Sequence, residues 1–308
     1  MRQTPGKRGI WDGLQFTTDP VDKCDFVLML NNNMKTESRV TCPPKNVWAL
    51  MQEPYVKGFT DWMVEGHECF SKVYTHHVPS GSSKYRVSPP AIPWHVNRSF
   101  DQLVAMNIPA KTKAFSWIVG NARDLPGHLK RLSFLKFIQK NMPQDIDLYG
   151  RAVQYIDDKW DALAPYRYSL AIENTRGPDY WTEKLADCFL TWTIPIYYGC
   201  TNLEEYFPGE AFIKIDIGEP EKAADIIKSV IQNDDWKKRL PALEKARELV
   251  LYRYQLFPHL SELIRPYSVS NGREAVMTTI PPYKKGPKSI VNHLLYEIKM
   301  KIMRQAYR

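Results

Sequence analysis

Apolar and polar positions in the first third of the chain fall into short blocks rather than long helical stripes. Phe26-Val27-Leu28-Met29-Leu30 is a continuous apolar run stopped by Asn31-Asn32-Asn33, and Asn46-Val47-Trp48-Ala49-Leu50-Met51 is another, closed by Glu53-Pro54. Runs of this length bounded by turn formers predict buried strands. Lys72-Val73-Tyr74-Thr75 is a third, ending at His76-His77. The stretches between them are long enough for helical crossovers, so the pattern predicts a parallel α/β sheet whose chemistry gathers at strand C-termini, where Glu53 stands. Three prolines between Ser88 and Trp94 break both helix and strand and place an interdomain connection near residues 88–110.

The pattern resumes with a strand over residues 113–119, a polar loop over 120–127, and an amphipathic helix from about 128 to 140 carrying Leu129, Leu132, Leu135 and Phe137. Strand, loop and helix in this order present helix N-terminal amides to a phosphate. Further strands are expected over 146–150, 168–172, 194–199 and 211–215, with a helix near 182–192 and helices from there to about 264. In residues 289–308, Ile290, Val291, Leu294, Leu295, Ile298 and Ile302 follow helical spacing, while Lys299, Lys301 and Arg304 occupy other faces. This predicts a basic amphipathic C-terminal helix, which either lies on anionic lipid or packs back across the domains.

Length narrows the picture: 308 residues favour two domains of ordinary size. At 44% hydrophobic and 25% charged, the composition excludes both wholesale disorder and a multi-span membrane protein. The net charge of +8 points to an anionic partner, yet +6 of it lies in residues 281–308. A nearly neutral body argues against nucleic-acid binding, for which basic residues line a broad face. Five cysteines, odd in number and without a C-x-x-C pair, indicate neither a disulfide framework nor a zinc site. Met1 leads into a polar, basic stretch with no apolar signal core, so the expected setting is cytoplasmic, with peripheral contact at the inner membrane face through residues 289–308.

Candidate chemistry concentrates in Glu173-Asn174-Thr175-Arg176-Gly177-Pro178-Asp179-Tyr180-Trp181-Thr182-Glu183-Lys184, which follows an apolar strand and opens a helix. A lysine in a first helical turn faces the positive end of the macrodipole, and either a bound anion or solvent resolves the conflict. Thr182 also reads as a simple N-cap.

The cluster, with Tyr168-Ser169-Leu170-Ala171-Ile172 before it and Thr193-Ile194-Pro195-Ile196-Tyr197-Tyr198-Gly199 after it, resembles the C-terminal signature of the α-1,3/4-fucosyltransferase family. Ser116-Trp117-Ile118-Val119-Gly120-Asn121, Arg131 and Asp147-Leu148-Tyr149-Gly150 extend the resemblance upstream, with Gly120 where serine is common. It implies a GT-B architecture, two Rossmann-like domains facing across a cleft, divided as an acceptor-binding domain over 1–105, a GDP-sugar domain over 106–266 and a basic tail over 267–308. It also implies inverting transfer of L-fucose from GDP-fucose to a glycan acceptor, with no obligatory metal or cofactor.

By the same resemblance Arg131 and Lys184 neutralise the pyrophosphate, Glu183 contacts donor hydroxyls and supports charge at the anomeric carbon, and Asn121, Asn174 and Tyr180 belong to the donor site. Glu173 braces the loop. Inversion needs a base on the acceptor face. Glu53 matches the family carboxylate, and His76 and His77 are its rivals by intrinsic pKa.

Overall fold

The computed structural model describes residues 1–32, 34–267 and 275–307; Asn33 of the turn after the first expected strand and Arg308 of the tail lie outside the described residues. Along the chain, a small hairpin of β1 (Ile10–Trp11) and β2 (Leu14–Gln15) is followed by β3 (Val27–Leu30), β4 (Ser38–Cys42), β5 (Val47–Leu50), β6 (Lys72–Thr75) and β7 (Tyr85–Val87). The short helix α1 (Phe100–Ala105) leads to β8 (Lys113–Ile118), α2 (Pro126–Asn141), β9 (Asp147–Tyr149), β10 (Tyr166–Gly177), α3 (Glu183–Leu190), β11 (Ile194–Cys200) and β12 (Ile213–Lys214). Then come α4 (Pro220–Asn233), α5 (Trp236–Leu249), α6 (Leu256–Ile264), β13 (Val276–Ile280) and α7 (Pro287–Ala306).

These elements form two compact units. The smaller comprises Thr17–Pro90 and Glu262–Ile302, and the larger Met1–Phe16, Ala91–Ser261 and Met303–Arg308. In the smaller unit, β3, β5, β6 and β7 pair in that order as a parallel sheet, with Leu28 opposite Trp48 and Ala49 opposite Val73. Every residue of β5 is buried, as its unbroken apolar run requires. Beside the sheet, Met51, Met63 and Phe70 complete the core around Val73. β4 pairs antiparallel with β13, Cys42 opposite Val276 and Ser38 opposite Ile280. α7 docks on this unit through one face: Ser289 Oγ donates to Glu65 at 2.6 Å, His293 Nδ1 meets the Gly58 carbonyl at 2.9 Å, and Tyr296 lies against Phe59.

The larger unit holds a five-stranded parallel sheet in the order β12-β11-β10-β8-β9. Trp117, Phe134, Tyr168, Phe189 and Ile196 are among its fully or nearly fully buried side chains. Each unit thus has a parallel sheet, but the helical crossovers expected in the first third are absent among the described residues: β3 to β7 are joined by irregular chain with 3-10 turns at Pro44–Asn46 and Asp61–Met63.

Two further expectations change. The boundaries 1–105, 106–266 and 267–308 give way to interleaved segments, because residues 1–16 pack with the larger unit and β13 completes the smaller one. Arg2 donates to the carbonyls of Val96 and Trp94, Gln255 donates to that of Gln3, and Trp11 stacks edge-on against Phe100. The passage at residue 90 falls inside the expected 88–110 window. The polar cluster after Ile172, read as a loop, instead prolongs β10 to Gly177: its ladder with β11 breaks after Ile172 and resumes only at Gly177 opposite Cys200.

Candidate active site

In the larger unit, the loop after β8, the first turns of α2 and α3, and the far half of β10 converge on a cavity of about 590 Å³. It lies beyond the carboxyl ends of parallel strands, where open α/β sheets bind ligands. Arg131, Arg151, Lys159 and Lys184 supply its fixed positive charges, against Asp157, Glu183 and Asp187.

Each charge is positioned by a local device. Pro126 starts α2 with its fixed φ, and the neutral ring of His128 accepts from Leu125 N–H at 3.2 Å. One turn on, Arg131 is buried and its Nη1 donates to Asn174 Oδ1 at 2.7 Å, while its Nε has no partner among the described residues. Burial lowers the pKa of this guanidinium, opposed by Glu173 and Glu183. A Cβ on Gly127 would collide with the Asn174 carbonyl, so only glycine lets α2 approach β10 this closely.

Thr182 caps α3, its hydroxyl accepting from Lys184 N–H at 3.4 Å. The fully buried Glu173 carboxylate accepts from Thr182 N–H at 2.8 Å, from the Thr182 hydroxyl and from Lys184 Nζ at 3.3 Å. Burial pushes the Glu173 carboxyl up, with Lys184 and the Thr182 donors opposing. Gly199 of β11 is required behind it, since a Cβ there would overlap Glu173 Cγ. The expected bracing role of Glu173 is what these contacts describe.

Glu183 is the electrostatic centre. Lys159 Nζ lies 3.4 Å, Lys184 Nζ 3.5 Å and His95 Nδ1 3.6 Å from its Oε1. Burial opposes its ionisation, but Lys184, Lys159 and His95 together hold the carboxyl far below the usual carboxylate range. Lys159 also reaches Asp187 at 3.2 Å, and Asp187 Oδ1 accepts from His95 N–H at 2.8 Å. Burial disfavours charge on Lys159, and Asp187 and Glu183 outweigh it, so its pKa is raised. Lys184 behaves likewise: burial is overcome by Glu173 and Glu183. Lys159 and Lys184 are paired with the buried carboxylates, while the Arg131 guanidinium, tied to Asn174 through Nη1, has the fork geometry that can pair with a phosphate.

Of the residues singled out in the sequence, Arg131, Asn174, Glu183 and Lys184 line this cavity together. Tyr180 and Asn121 do not. Asp179 takes a left-handed φ of 59°, held by Asn202 and Tyr206, and the chain beyond it buries Tyr180 and Trp181 in the interior. Asn121 is exposed, although its neighbours Gly120 and Ala122 line the cavity. Glu53 stands in the smaller unit, exposed, three residues beyond β5. His76 and His77 follow β6; Tyr55 N–H donates to His76 Nε2 at 3.4 Å and the Tyr55 ring stacks on His77 at 4.0 Å. Burial lowers the His77 pKa.

Lys159, His95 and Asp187 escaped the sequence reading. Asp187 left a signal, a carboxylate one turn after Glu183 in an otherwise apolar helix. Lys159 opens a single 3-10 turn over Lys159–Ala162 and His95 lies in a loop, and neither has a periodicity to mark it.

Residues 108–240 match the model of glycosyltransferase family 10 (fucosyltransferase), C-terminal region. Mouse 4-galactosyl-N-acetylglucosaminide 3-alpha-L-fucosyltransferase 9 is 31% identical over 144 residues, covering 42% of this chain and 39% of the mouse protein. Human 4-galactosyl-N-acetylglucosaminide 3-alpha-L-fucosyltransferase FUT5 is 29% identical over 170 residues, 54% of this chain and 40% of the human one. The chain thus spans about two fifths of the length of these relatives. A crystal structure of an α1,3-fucosyltransferase with GDP-fucose aligns over 76% of this chain and 79% of its own, at 18% identity and a TM-score of 0.49.

Proposed function

We propose, from residues 108–240 and their match to the model of glycosyltransferase family 10, the fucosyltransferases, that the protein moves L-fucose from GDP-β-L-fucose to a glycan hydroxyl. The acceptor oxygen is the 3-hydroxyl of an N-acetylglucosamine unit, the acceptor type written in the relatives' names. The observation that carries this reading is the cavity itself: Arg131 with an unpartnered N–H donor, oriented by Asn174, beside the Glu183–Lys184 pair, all inside the matched segment.

In this reading Arg131 and Lys184 take the pyrophosphate, Arg131 as a planar fork and Lys184 as a point charge. Glu183, ionised under Lys159 and Lys184, accepts from fucose hydroxyls and stabilises positive charge at the anomeric carbon. The acceptor oxygen forms its bond to that carbon as the bond to the β-phosphate oxygen breaks, so the configuration inverts and GDP leaves with the electron pair. The acceptor proton passes to a base, which we assign to Glu53. With chain cations neutralising the departing GDP, no divalent metal is obligatory.

Purified protein offered GDP-fucose and N-acetyllactosamine should release GDP and yield a product one deoxyhexose heavier, α-1,3-linked by NMR, at a rate EDTA leaves unchanged. GDP release only with another GDP-sugar would replace the donor assignment, and no release with any of them would overturn the reading. Glu53→Gln should cut transfer by about 10²–10⁴-fold with GDP affinity almost unchanged. Activity surviving that change but abolished by His76→Ala or His77→Ala moves the base to the histidine pair.

A further inference from the structure

The last helix carries two unlike faces. Ser289, Tyr296 and Met300 are buried on the inner one, with His293 beside them on the Gly58 carbonyl. The outer face is apolar and open: Ile290, Val291, Leu294, Leu295, Ile298 and Ile302 are each 50–62% exposed. At 100° per residue these six fall within one stripe opposite the docked face, where charged side chains are the rule for a surface helix. Lys288 and Lys299 flank one edge, and Lys301 lies just inside the other, where Glu297, the helix's single acid, is the next residue out; with Lys284 and Lys285 just before the helix, all five lysines are exposed.

We propose that this outer face is a docking surface for an anionic phospholipid membrane, with α7 lying in the plane of the headgroups while its inner face stays seated on the smaller unit. An aliphatic stripe edged by lysines has the chemistry of an interfacial helix: the stripe enters the acyl boundary and the lysine stems reach back to phosphate. A second copy of the chain fits the surface poorly. A two-fold contact would set like-charged lysine edges against each other. The stripe also lacks the aromatic and arginine anchors of protein interfaces, and its rim is rich in lysine, which such interfaces avoid. None of this depends on the sugar-transfer reading.

The test is co-sedimentation of the full chain with phosphatidylcholine vesicles, with and without phosphatidylglycerol, alongside sedimentation equilibrium without lipid. The wild-type protein should pellet with the anionic vesicles, less so as salt rises. Leu294→Glu with Ile298→Glu should lower the vesicle affinity at least about tenfold, because two buried aliphatic side chains are lost from the acyl layer. Lys288→Gln with Lys299→Gln should lower it about fivefold per lysine and flatten the salt dependence. All four positions are exposed, and thermal melts confirm that the variants fold. Failure of the wild type to prefer anionic vesicles overturns the proposal, as does undiminished binding by both double variants. A dimer dissociated by Leu294→Glu/Ile298→Glu, with no vesicle binding, assigns the face to a second copy instead.

Discussion

Arg131 is aimed by Asn174, and Asn174 sits where a side chain on residue 127 would have to go. Gly127→Ala should therefore displace Asn174 and cost GDP affinity roughly ten- to a hundredfold, the worth of a charge-assisted hydrogen bond, read by calorimetry with the fold confirmed by circular dichroism. Lys184→Ala should weaken GDP-fucose binding by a comparable 1.5–3 kcal/mol; unchanged affinity would remove Lys184 from the site. Lys159→Met tests the electrostatics from the other side. Glu183 is held ionised chiefly by Lys184 and Lys159, so losing either cation raises its pKa. The Glu183 carboxyl, followed by carbon-13 NMR in labelled protein, should titrate at higher pH, and a titration that stays put or moves down would exclude Lys159 from this role. Asn174, Glu183 and Lys184 stood out as polar residues at a strand end and a first helical turn, but their roles, and Arg131 altogether, were legible only through the family resemblance, since an arginine among the lysines of α2 reads as a solvated base. Tyr180 was misplaced for a physical reason: the left-handed turn at Asp179 sends the next residues inward, and a single aspartate in a loop gives no warning of φ.

Among elements, the strands buried on both faces were the readable ones. β5, β6, β8 and β11 lie within a residue or two of their expected spans, since an unbroken apolar run of this length has few other uses. β4 and β13 were not read. Ser38-Arg39-Val40-Thr41-Cys42 alternates weakly, and its partner β13 is more than two hundred residues away. The turn from β10 into α3 shows the opposite dependence, on one side chain. Thr182 caps the helix and donates to Glu173 at once, so Thr182→Val removes the cap and leaves a buried carboxylate short of a donor. A loss of about 2–4 kcal/mol in unfolding free energy is expected from the two effects together, measured by urea titration. A Thr182→Ser change, which keeps the hydroxyl, should restore most of it.

At the level of the whole molecule, three buried histidines couple both units to pH. Burial lowers His67 in the smaller unit, and His128 and His259 in the larger one, from 6.5 to about 4. Between these values the unfolded chain binds protons that the folded chain refuses. Stability is therefore fully present above about pH 6.5 and falls as the pH drops toward 4, by an order of 1–3 kcal/mol per histidine. Urea midpoints across that window should decline, and less steeply in His128→Gln; a flat profile would mean these rings are not held neutral. The interleaved segments carry a further consequence, for synthesis. Residues 17–90 leave the ribosome well before the strand that pairs with β4 and the helix that covers Gly58 are made. At roughly 5–20 residues per second the nascent smaller unit waits some tens of seconds with an open sheet edge. During that interval it is a client for chaperones, and a chain cut short before β13 can finish only one of its two units.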